Sequence, residues 1–471
     1  MIGTVITKEL RALCRDSRLL LLALALFCMV AGVLATSTNA AKRAQSERDQ
    51  VGTTARAQWE RQGVKHPHRA AHFGIYAFKP SFALAAVEPG ISDQVGQSLW
   101  LEPHKRNLTR HSPTTDAPPS ARLGEVMPAF VLIVLVPLLV IGIGHNAVSD
   151  ERESGTLRML HAAGLQSGTL LMGKWIALVL AISIVLLPAL AAGAWLMAAT
   201  GPEHGSLLRA VLYVCGLLVY YAVIAALTIA VSARLHTSRG ALLVLVSLWI
   251  AFSWIVPRLG AAAAEALLPV PTGEAFAAGV MTDIQRGLPG DGDAASRLAA
   301  FDAALLREHK VARLDDLPYG ANAARRIFRD AYATRVYALH FNRLWERYAD
   351  QQALLRWGAM LSPVLPVQGL SMTLAGTDLA HQRHFEDAAE AYRAYFTVQI
   401  DEWDRQATRG VVSYEEKYAG GSQWQAIAPF SYQPPGLRFA VRAAAADALL
   451  LLGWLAGGGF LVAWAGRRLK P

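Results

Sequence analysis

Six long apolar segments constrain this chain more than any other feature of its sequence. A helix that crosses a bilayer needs about 20 mostly apolar residues. Only 17% of the residues are charged, whereas a typical soluble protein has roughly 25%. The sequence therefore predicts an all-α polytopic membrane protein and excludes one large soluble enzyme. The six predicted transmembrane helices are 19–36, 126–148, 175–199, 207–231, 241–257 and 443–465.

The distribution of Lys and Arg predicts the orientation of these spans. Cations accumulate in short cytoplasmic segments next to spans. They occur here in segment 1–18, in segment 149–174, between spans four and five, and in the tail 466–471. All four lie on one side of a six-span chain, so both termini are predicted to be cytoplasmic. Segment 1–18 has an apolar face and is expected to form an interfacial helix.

Two long polar segments then face the extracytoplasmic side. Segment 258–442 has helical periodicity at 294–312, 321–357 and 381–405, which predicts a largely helical extracytoplasmic domain. Segment 37–125 is polar and is expected to be a loop.

The cytoplasmic segment 149–174 has a distinctive pattern. A charged helix end is followed by a break at Ser154-Gly155 and then by a short helix, 156–163, that ends at Gly164. Leu157 and Leu160 lie on one face of that helix. A short helix of this kind at a membrane surface suits docking into the groove of a partner.

This pattern resembles the coupling segment of the ABC-2-type transporter permeases. The likeness is carried by Glu151-Arg-Glu153-Ser-Gly155-Thr-Leu157 and by the later Leu-Leu-Met-Gly173-Lys174. A second stretch, 361–393, is similar to a subgroup with a large extracytoplasmic domain between its last two spans. The residues that this resemblance assigns to ATPase coupling are Glu151, Glu153, Gly155, Thr156, Leu157 and Leu160.

The resemblance implies a permease subunit of an ABC transporter in a bacterial inner membrane, with export as the favoured direction. The expected partners are two copies of an ABC ATPase, a second permease chain, identical or similar, membrane lipid and an extracytoplasmic partner. The chain itself is expected to be no enzyme and to bind no cofactor, with ATP and magnesium held by the ATPase.

One motif imitates a nucleotide-binding loop. Segment 168–174 satisfies G-x-x-x-x-G-K, but Trp175 follows where a P-loop needs Ser or Thr to bind magnesium. The net charge of +9 is explained by cations that flank the spans, and no nucleic-acid-binding module is recognisable. We therefore expect neither ATP nor nucleic acid to bind this chain.

A group of histidines lies in segment 37–125. His66, His68 and His72 are close in sequence, and His104 and His111 follow. Neutral imidazoles can bind zinc or copper, but Lys65 and Arg69 would oppose a cation and no cysteine is near. We expect solvated histidines and no metal site.

Polar residues and glycines within the spans are further candidates. Asp447 and His145 are candidate pathway residues, because ionisable groups in spans are commonly functional. Asp447 is expected to be hydrated or paired with Arg442. Gly453 and Gly457 have the spacing that allows two helices to pack closely, either within the chain or between two permease chains.

Two other functions remain open at this point. A membrane-anchored assembly or sensor protein would use the extracytoplasmic domain to bind a partner, with an ATPase driving its change of shape. A metal-handling protein would use the histidines of segment 37–125.

Overall fold

The computed structural model describes residues 1–109, 127–198, 206–407 and 420–469. A two-stranded antiparallel hairpin pairs β1 (Ile75–Phe78) with β2 (Ser98–Leu101), an element that the sequence analysis missed. The helices, numbered in chain order, are α1 (Ile2–Arg15), α2 (Ser17–Glu60), α3 (Pro67–Ala71), α4 (Ser92–Val95), α5 (Pro128–Phe130), α6 (Val136–Gly144), α7 (Ser149–Glu153), α8 (Thr156–Ala162), α9 (Ser167–Ala198), α10 (Ser206–Arg234), α11 (Ser238–Ile250), α12 (Val256–Leu267), α13 (Gly273–Arg286), α14 (Ala294–His309), α15 (Ala321–Gly358), α16 (Val364–Ala375), α17 (Leu379–Ala407), α18 (Gly421–Ala426) and α19 (Leu437–Arg467).

Within the described residues, six helical segments are long and apolar enough to cross a membrane, which confirms the predicted fold class. We call them spans 1 to 6 in chain order. Their bounds are Leu20–Glu60, Pro128–Glu153, Ser167–Gly193, Leu207–Arg234, Ser238–Leu267 and Leu437–Arg467.

Span 4 lies at the centre of the bundle. It packs against spans 2, 3, 5 and 6, and its aromatic residues Tyr220 and Tyr221 are fully buried. The short helix α16 is inserted between spans 4 and 6. Arg209 of span 4 fixes the end of α16, because its guanidinium donates to the carbonyl oxygens of Leu374 (3.1 Å) and Pro435 (2.9 Å).

Spans 2 and 5 share an irregularity. Each contains one π-helical turn, at Val131–Leu135 and Ala251–Ile255, and in each a proline follows two residues after that turn, at Pro137 and Pro257. Proline donates no hydrogen bond to the carbonyl four residues before it. A local widening of the helix accommodates this loss. For this reason span 5 does not end at Pro257, as the sequence analysis expected, but continues to Leu267.

Side chains from neighbouring elements donate hydrogen bonds to carbonyls in the two irregular turns. Each such bond satisfies a backbone group that has no water to bind in an apolar environment. The pairs are Tyr220 Oη to Ile133 O (2.9 Å), Tyr221 Oη to Leu132 O (2.9 Å), Trp249 Nε1 to Val134 O (2.9 Å) and Ser362 Oγ to Phe252 O (2.8 Å).

The helix of span 1 extends far beyond its apolar run. A loop is expected from residue 37 onward, whereas α2 continues to Glu60. Residues 37–60 contain no proline and many good helix formers. Trp59, near the end of this extension, is buried against Phe396 and Trp424.

The remaining described residues, 61–109, 268–407 and 420–436, form what we call the polar domain. The three predicted helices correspond to α14, α15 and α17, and α15 packs along α17. The domain has two main cores: one around Phe385, Phe396 and Trp424, and one around Val336 and Phe341. The first core joins the two separate segments of the domain, because α3 and the hairpin both pack on α17.

We expect the double variant Tyr220→Phe, Tyr221→Phe to be less stable than the wild type. Each substitution removes one donor and leaves a carbonyl of span 2 unsatisfied, at a cost of about 1 kcal/mol per bond. Thermal unfolding in mild detergent measures the effect. Tyr395→Phe on exposed α17 surface is the matched control. An unchanged unfolding temperature in the double variant would show that these bonds contribute nothing.

Candidate functional site

Two glycines shape the segment that carries the family resemblance. Gly155 has a φ of +75° and separates α7 from α8, and Gly164 has a φ of +82° just after α8. Residues with a side chain adopt this backbone region at a cost of roughly 1–2 kcal/mol. The predicted break at Ser154-Gly155 and the short helix after it are therefore present, and the hydroxyls of Ser154 and Thr156 lie 2.9 Å apart across the break.

Helix α8 has a buried side and an exposed side. Leu157 is fully buried and Leu160 packs partly against the same core. Arg158 and Met159 point the other way, and Met159 is 65% exposed. Leu157 and Leu160 therefore attach α8 to the spans, while Arg158 and Met159 are available to a partner.

Glu151 is the centre of a charge network that joins three elements. Its Oε1 accepts hydrogen bonds from Lys174 Nζ (2.9 Å) of span 3 and from Lys8 Nζ (3.1 Å) of α1. Lys174, itself almost fully buried, also donates to Glu9 Oε1 (2.8 Å). Burial alone would raise the pKa of Glu9, but Lys174 and Lys8 hold that pKa below its ordinary value. Glu151 thus links α1, α7 and span 3.

Two neighbours of Glu151 attach α7 to spans 4 and 5. The carboxylate of Glu153 accepts hydrogen bonds from both the backbone N–H and the hydroxyl of Ser238, the first residue of span 5 (2.9 Å each). The guanidinium of Arg152 donates to the carbonyl of Ala233 at the end of span 4 and to that of Leu235 in the turn before span 5. Helix α7 is therefore bonded directly to spans 3, 4 and 5.

The two candidate pathway residues have local partners. The Nδ1 of His145 lies 2.9 Å from the carbonyl oxygen of Gly142, one turn earlier in the same helix. Asp447 is buried and forms an ion pair with Arg356 Nε at 3.7 Å, so it fits neither expected alternative, hydration or a pair with Arg442. Arg356 lies at the end of α15, so this ion pair connects the polar domain with span 6.

Gly453 and Gly457 make no close contact within the chain. A Cβ added at either position would meet nothing within 4 Å. The close helix contact inside the chain is made instead by Gly458, where a Cβ would lie 2.9 Å from the Cβ of Ala226. Of the two alternatives left open by the sequence, the contact within the chain has no support at these positions, and a contact with a second permease chain stays a prediction.

Three histidines of the polar domain converge. His68 Nε2 lies 3.2 Å from His72 Nε2 and 3.1 Å from His104 Nε2. Burial and the two neighbouring rings lower the pKa of His72. The expectation of solvated histidines is wrong for His66 and His68, which are buried because α17 covers α3 and supplies Asp404 and Asp401, the aspartates that these two rings contact. His111 lies outside the described residues.

A buried carboxyl lies where the polar domain meets the spans. Glu88 Oε2 accepts a hydrogen bond from Ser371 Oγ of α16 (2.8 Å), and its Oε1 accepts one from the backbone N–H of Gly90 (3.2 Å). Burial raises the pKa of Glu88 to about 7, against these two donors. The sequence analysis did not single out Glu88, because its surroundings come from a segment almost 300 residues later.

Comparison with known protein families shows which family this chain belongs to. The model of the family described as ABC-2 family transporter protein matches residues 3–339, which is more than half of the chain. The chain belongs to the ABC-2 family of transporter proteins. A second model, described as a domain of unknown function (DUF3526), matches residues 277–433. None of the curated proteins compared with this chain matches it.

Membership makes the chain a multi-pass membrane component of an ABC transporter, and the family in general works with an ATPase partner and as a dimer. The first matched region contains all six coupling candidates and the three converging histidines. The second contains most of the polar domain, including α15 and α17. The permease thus carries its large insertion between spans 5 and 6, as the resemblance implied.

We expect Glu151→Gln to destabilise the permease more than Glu153→Gln. Glu151 is nearly buried and neutralises the buried Lys174, so its loss costs about 1–3 kcal/mol, whereas Glu153 is exposed and water replaces its bonds. Thermal unfolding of both variants in detergent compares them. Equal unfolding temperatures for the two variants would contradict the role of Glu151 as the centre of the network.

We expect Glu88 to make stability depend on pH. Its pKa is about 7 in the folded protein and near 4.5 in the unfolded chain. The folded state therefore binds the proton more tightly, so the stability it contributes is complete below about pH 4.5 and is lost as pH rises through about 7. The loss is on the order of 2–3 kcal/mol.

Glu88→Gln keeps a neutral side chain at every pH. The measurement is the unfolding temperature of the wild type minus that of Glu88→Gln, at about pH 5 and pH 8, and we expect this difference to fall with pH. Glu265→Gln, at an exposed position on α12, serves as the control. A difference that stays constant would mean that Glu88 does not titrate in this range.

Proposed function

We propose that this chain is the permease subunit of an ABC exporter. Two permease chains dock on two ATPase subunits, which bind ATP and magnesium. Closure of the ATPases displaces α7 and α8 and so rearranges spans 3, 4 and 5. The observation that carries the proposal is the two-sided character of α8, with Leu157 anchored among the spans and Met159 exposed.

The polar links of α7 support the proposed coupling. A docking helix transmits force only if it is held firmly to the spans that must move. Glu151 attaches the segment to span 3 and to α1, and Glu153 attaches it to the first turn of span 5. Of the six candidates, Glu151, Glu153, Leu157 and Leu160 would therefore transmit the motion. Gly155 and Thr156 would set the angle between α7 and α8.

The proposed orientation places α8 in the cytoplasm and the polar domain outside. It is supported by the cations of segments 1–18 and 149–174, which lie at the same end of the bundle and meet in the Glu151 network. On this orientation both termini are cytoplasmic and the membrane is the inner membrane of a bacterium.

The proposed second permease chain has surface available to it. Only 11% of the apolar window of span 5 is buried within one chain, and Leu243, Ile255 and Leu259 are exposed on it. Two cavities among the spans, lined in part by Tyr220 and Tyr213, measure about 20 Å³ each. That volume holds about one water molecule, so we place the substrate pathway between two chains.

We expect Met159→Asp to reduce recovery of the ATPase subunit at least tenfold when the tagged permease is purified in mild detergent. A charge on the exposed side of α8 would oppose burial of that surface in a partner. Met281→Asp is the matched control, since Met281 is 49% exposed on α13 of the polar domain. Mass spectrometry identifies the co-purified proteins.

Gly155→Pro tests coupling separately from docking. Proline fixes φ near −65°, which is incompatible with the φ of +75° at this position. We expect this variant to insert in the membrane but to lose substrate-dependent ATPase activity. Full activity in Gly155→Pro, or a wild-type chain that purifies alone and inactive, would contradict the proposal. The second result would favour an assembly or sensor protein.

A further inference from the structure

The histidine cluster of the polar domain has the chemistry of a metal site. His68, His72 and His104 direct one ring nitrogen each, Nε2, toward a common point, and all three ligand atoms lie within 4.8 Å of one another. We propose that these three histidines bind one divalent transition-metal ion, with zinc the best match.

The hydrogen bonds behind the rings determine which nitrogen carries the proton. His68 Nδ1 lies 3.2 Å from Asp401 Oδ1 on α17, and His104 Nδ1 lies 2.7 Å from Asp330 Oδ1 on α15. A carboxylate only accepts hydrogen bonds, so each neutral ring carries its proton on Nδ1. Both rings therefore present the lone pair of Nε2 to the centre of the cluster.

This arrangement leaves the contact between His68 and His104 without a donor. The two lone pairs face each other at 3.1 Å, which is repulsive unless a metal ion or an added proton lies between them. Histidines that bind metals almost always donate their other ring N–H to a carboxylate or carbonyl. The two aspartates occupy that supporting position here.

Two of the three separations between the ligand atoms agree with tetrahedral coordination. Zinc–nitrogen bonds of about 2.0–2.1 Å place two ligand nitrogens of a tetrahedron roughly 3.3 Å apart. The observed separations from His68 Nε2 are 3.2 Å to His72 and 3.1 Å to His104. Three histidines leave a fourth tetrahedral position that a water molecule can occupy.

The backbone conformation at both ends of the cluster supports this geometry. The side chain of His66 caps α3 and Pro67 begins it, which fixes the helix that bears His68. His104 is the third residue of the turn that joins Glu102 to Lys105 and has a φ of +68°. This strained conformation costs on the order of 1 kcal/mol for a residue with a side chain and is common at functional sites.

The local charge also favours a cation. Asp401 and Asp330 lie directly behind two of the ligands, and Glu102 is close enough to His72 to interact with it electrostatically. Arg69, which weighed against a metal in the sequence, is exposed, so its charge is screened by solvent. Arg326 is engaged by Asp401 and Asp404.

The ion would stabilise the packing of segment 66–104 on helices α15 and α17. The ligands all lie in segment 66–104, whereas the supporting aspartates belong to α15 and α17, more than 200 residues later. Metal binding would therefore stabilise the packing of α3 and the hairpin on those two helices. This inference does not depend on the proposed transport function.

The test uses the full-length permease in detergent, purified with a tag that contains no histidine and treated with a chelator. We expect the wild type to bind one zinc ion per chain in a calorimetric titration and to unfold at a higher temperature with zinc. Cobalt(II), used as a spectroscopic probe, should give the intense visible bands of tetrahedral coordination.

The variants separate ligands from supporting residues. His68→Gln and His104→Gln should each weaken zinc binding at least tenfold and remove the cobalt bands. Asp330→Asn should retain the bands but weaken binding by about 10- to 100-fold. His309→Gln is the matched control, since His309 lies in the same domain against Tyr319 and outside the cluster.

Two results would overturn the proposal. One is a wild-type chain that binds neither zinc nor cobalt. The other is His104→Gln with unchanged affinity and spectrum. His104 is half-buried in a surface turn, so this variant should fold even if His68→Gln does not, and circular dichroism checks the fold of each.

Discussion

The need to satisfy backbone carbonyls in an apolar environment organises the membrane part of this protein. Prolines in spans 2 and 5 remove donors at similar positions, and each follows a π-helical turn. Side chains from spans 4 and 5 and from the turn after α15 donate hydrogen bonds to carbonyls within those turns. Because a carbonyl without a donor is costly in an apolar environment, these bonds favour the observed pairing of the helices.

The same elements connect the coupling segment to the polar domain. Glu153 holds the first turn of span 5, and span 5 runs without interruption to Leu267. There the end of α15 packs closely on it, since a Cβ at Gly260 would lie 3.1 Å from Leu355. Span 5 is therefore a continuous element between α7 at one end of the bundle and the base of the polar domain at the other.

Patterns of neighbouring residues in the sequence predicted helices and helix ends, because these depend on nearby residues. The helical periodicity of α14, α15 and α17 was visible in the sequence, as were the glycines that limit α8. The extension of α2 to Glu60 was not visible in the sequence, and neither was the continuation of span 5 beyond Pro257. Both depend on partners elsewhere: Phe396 and Trp424 cover Trp59, and Ser362 satisfies the carbonyl of Phe252. The partner of Asp447 was missed for the same reason, because Arg356 is about 90 residues away along the chain.

By itself the sequence determined the number of spans, the fold class and the family, because hydrophobicity, length and the Glu151–Leu157 pattern are properties of contiguous residues. Only the tertiary structure decided what the polar residues do. It turned Glu151 inward to neutralise Lys174 and buried Glu88 against α16. It also brought His104 to His68 and placed an aspartate behind each ring. Such contacts join segments far apart in the chain, and long-range packing, rather than local pattern, sets their geometry.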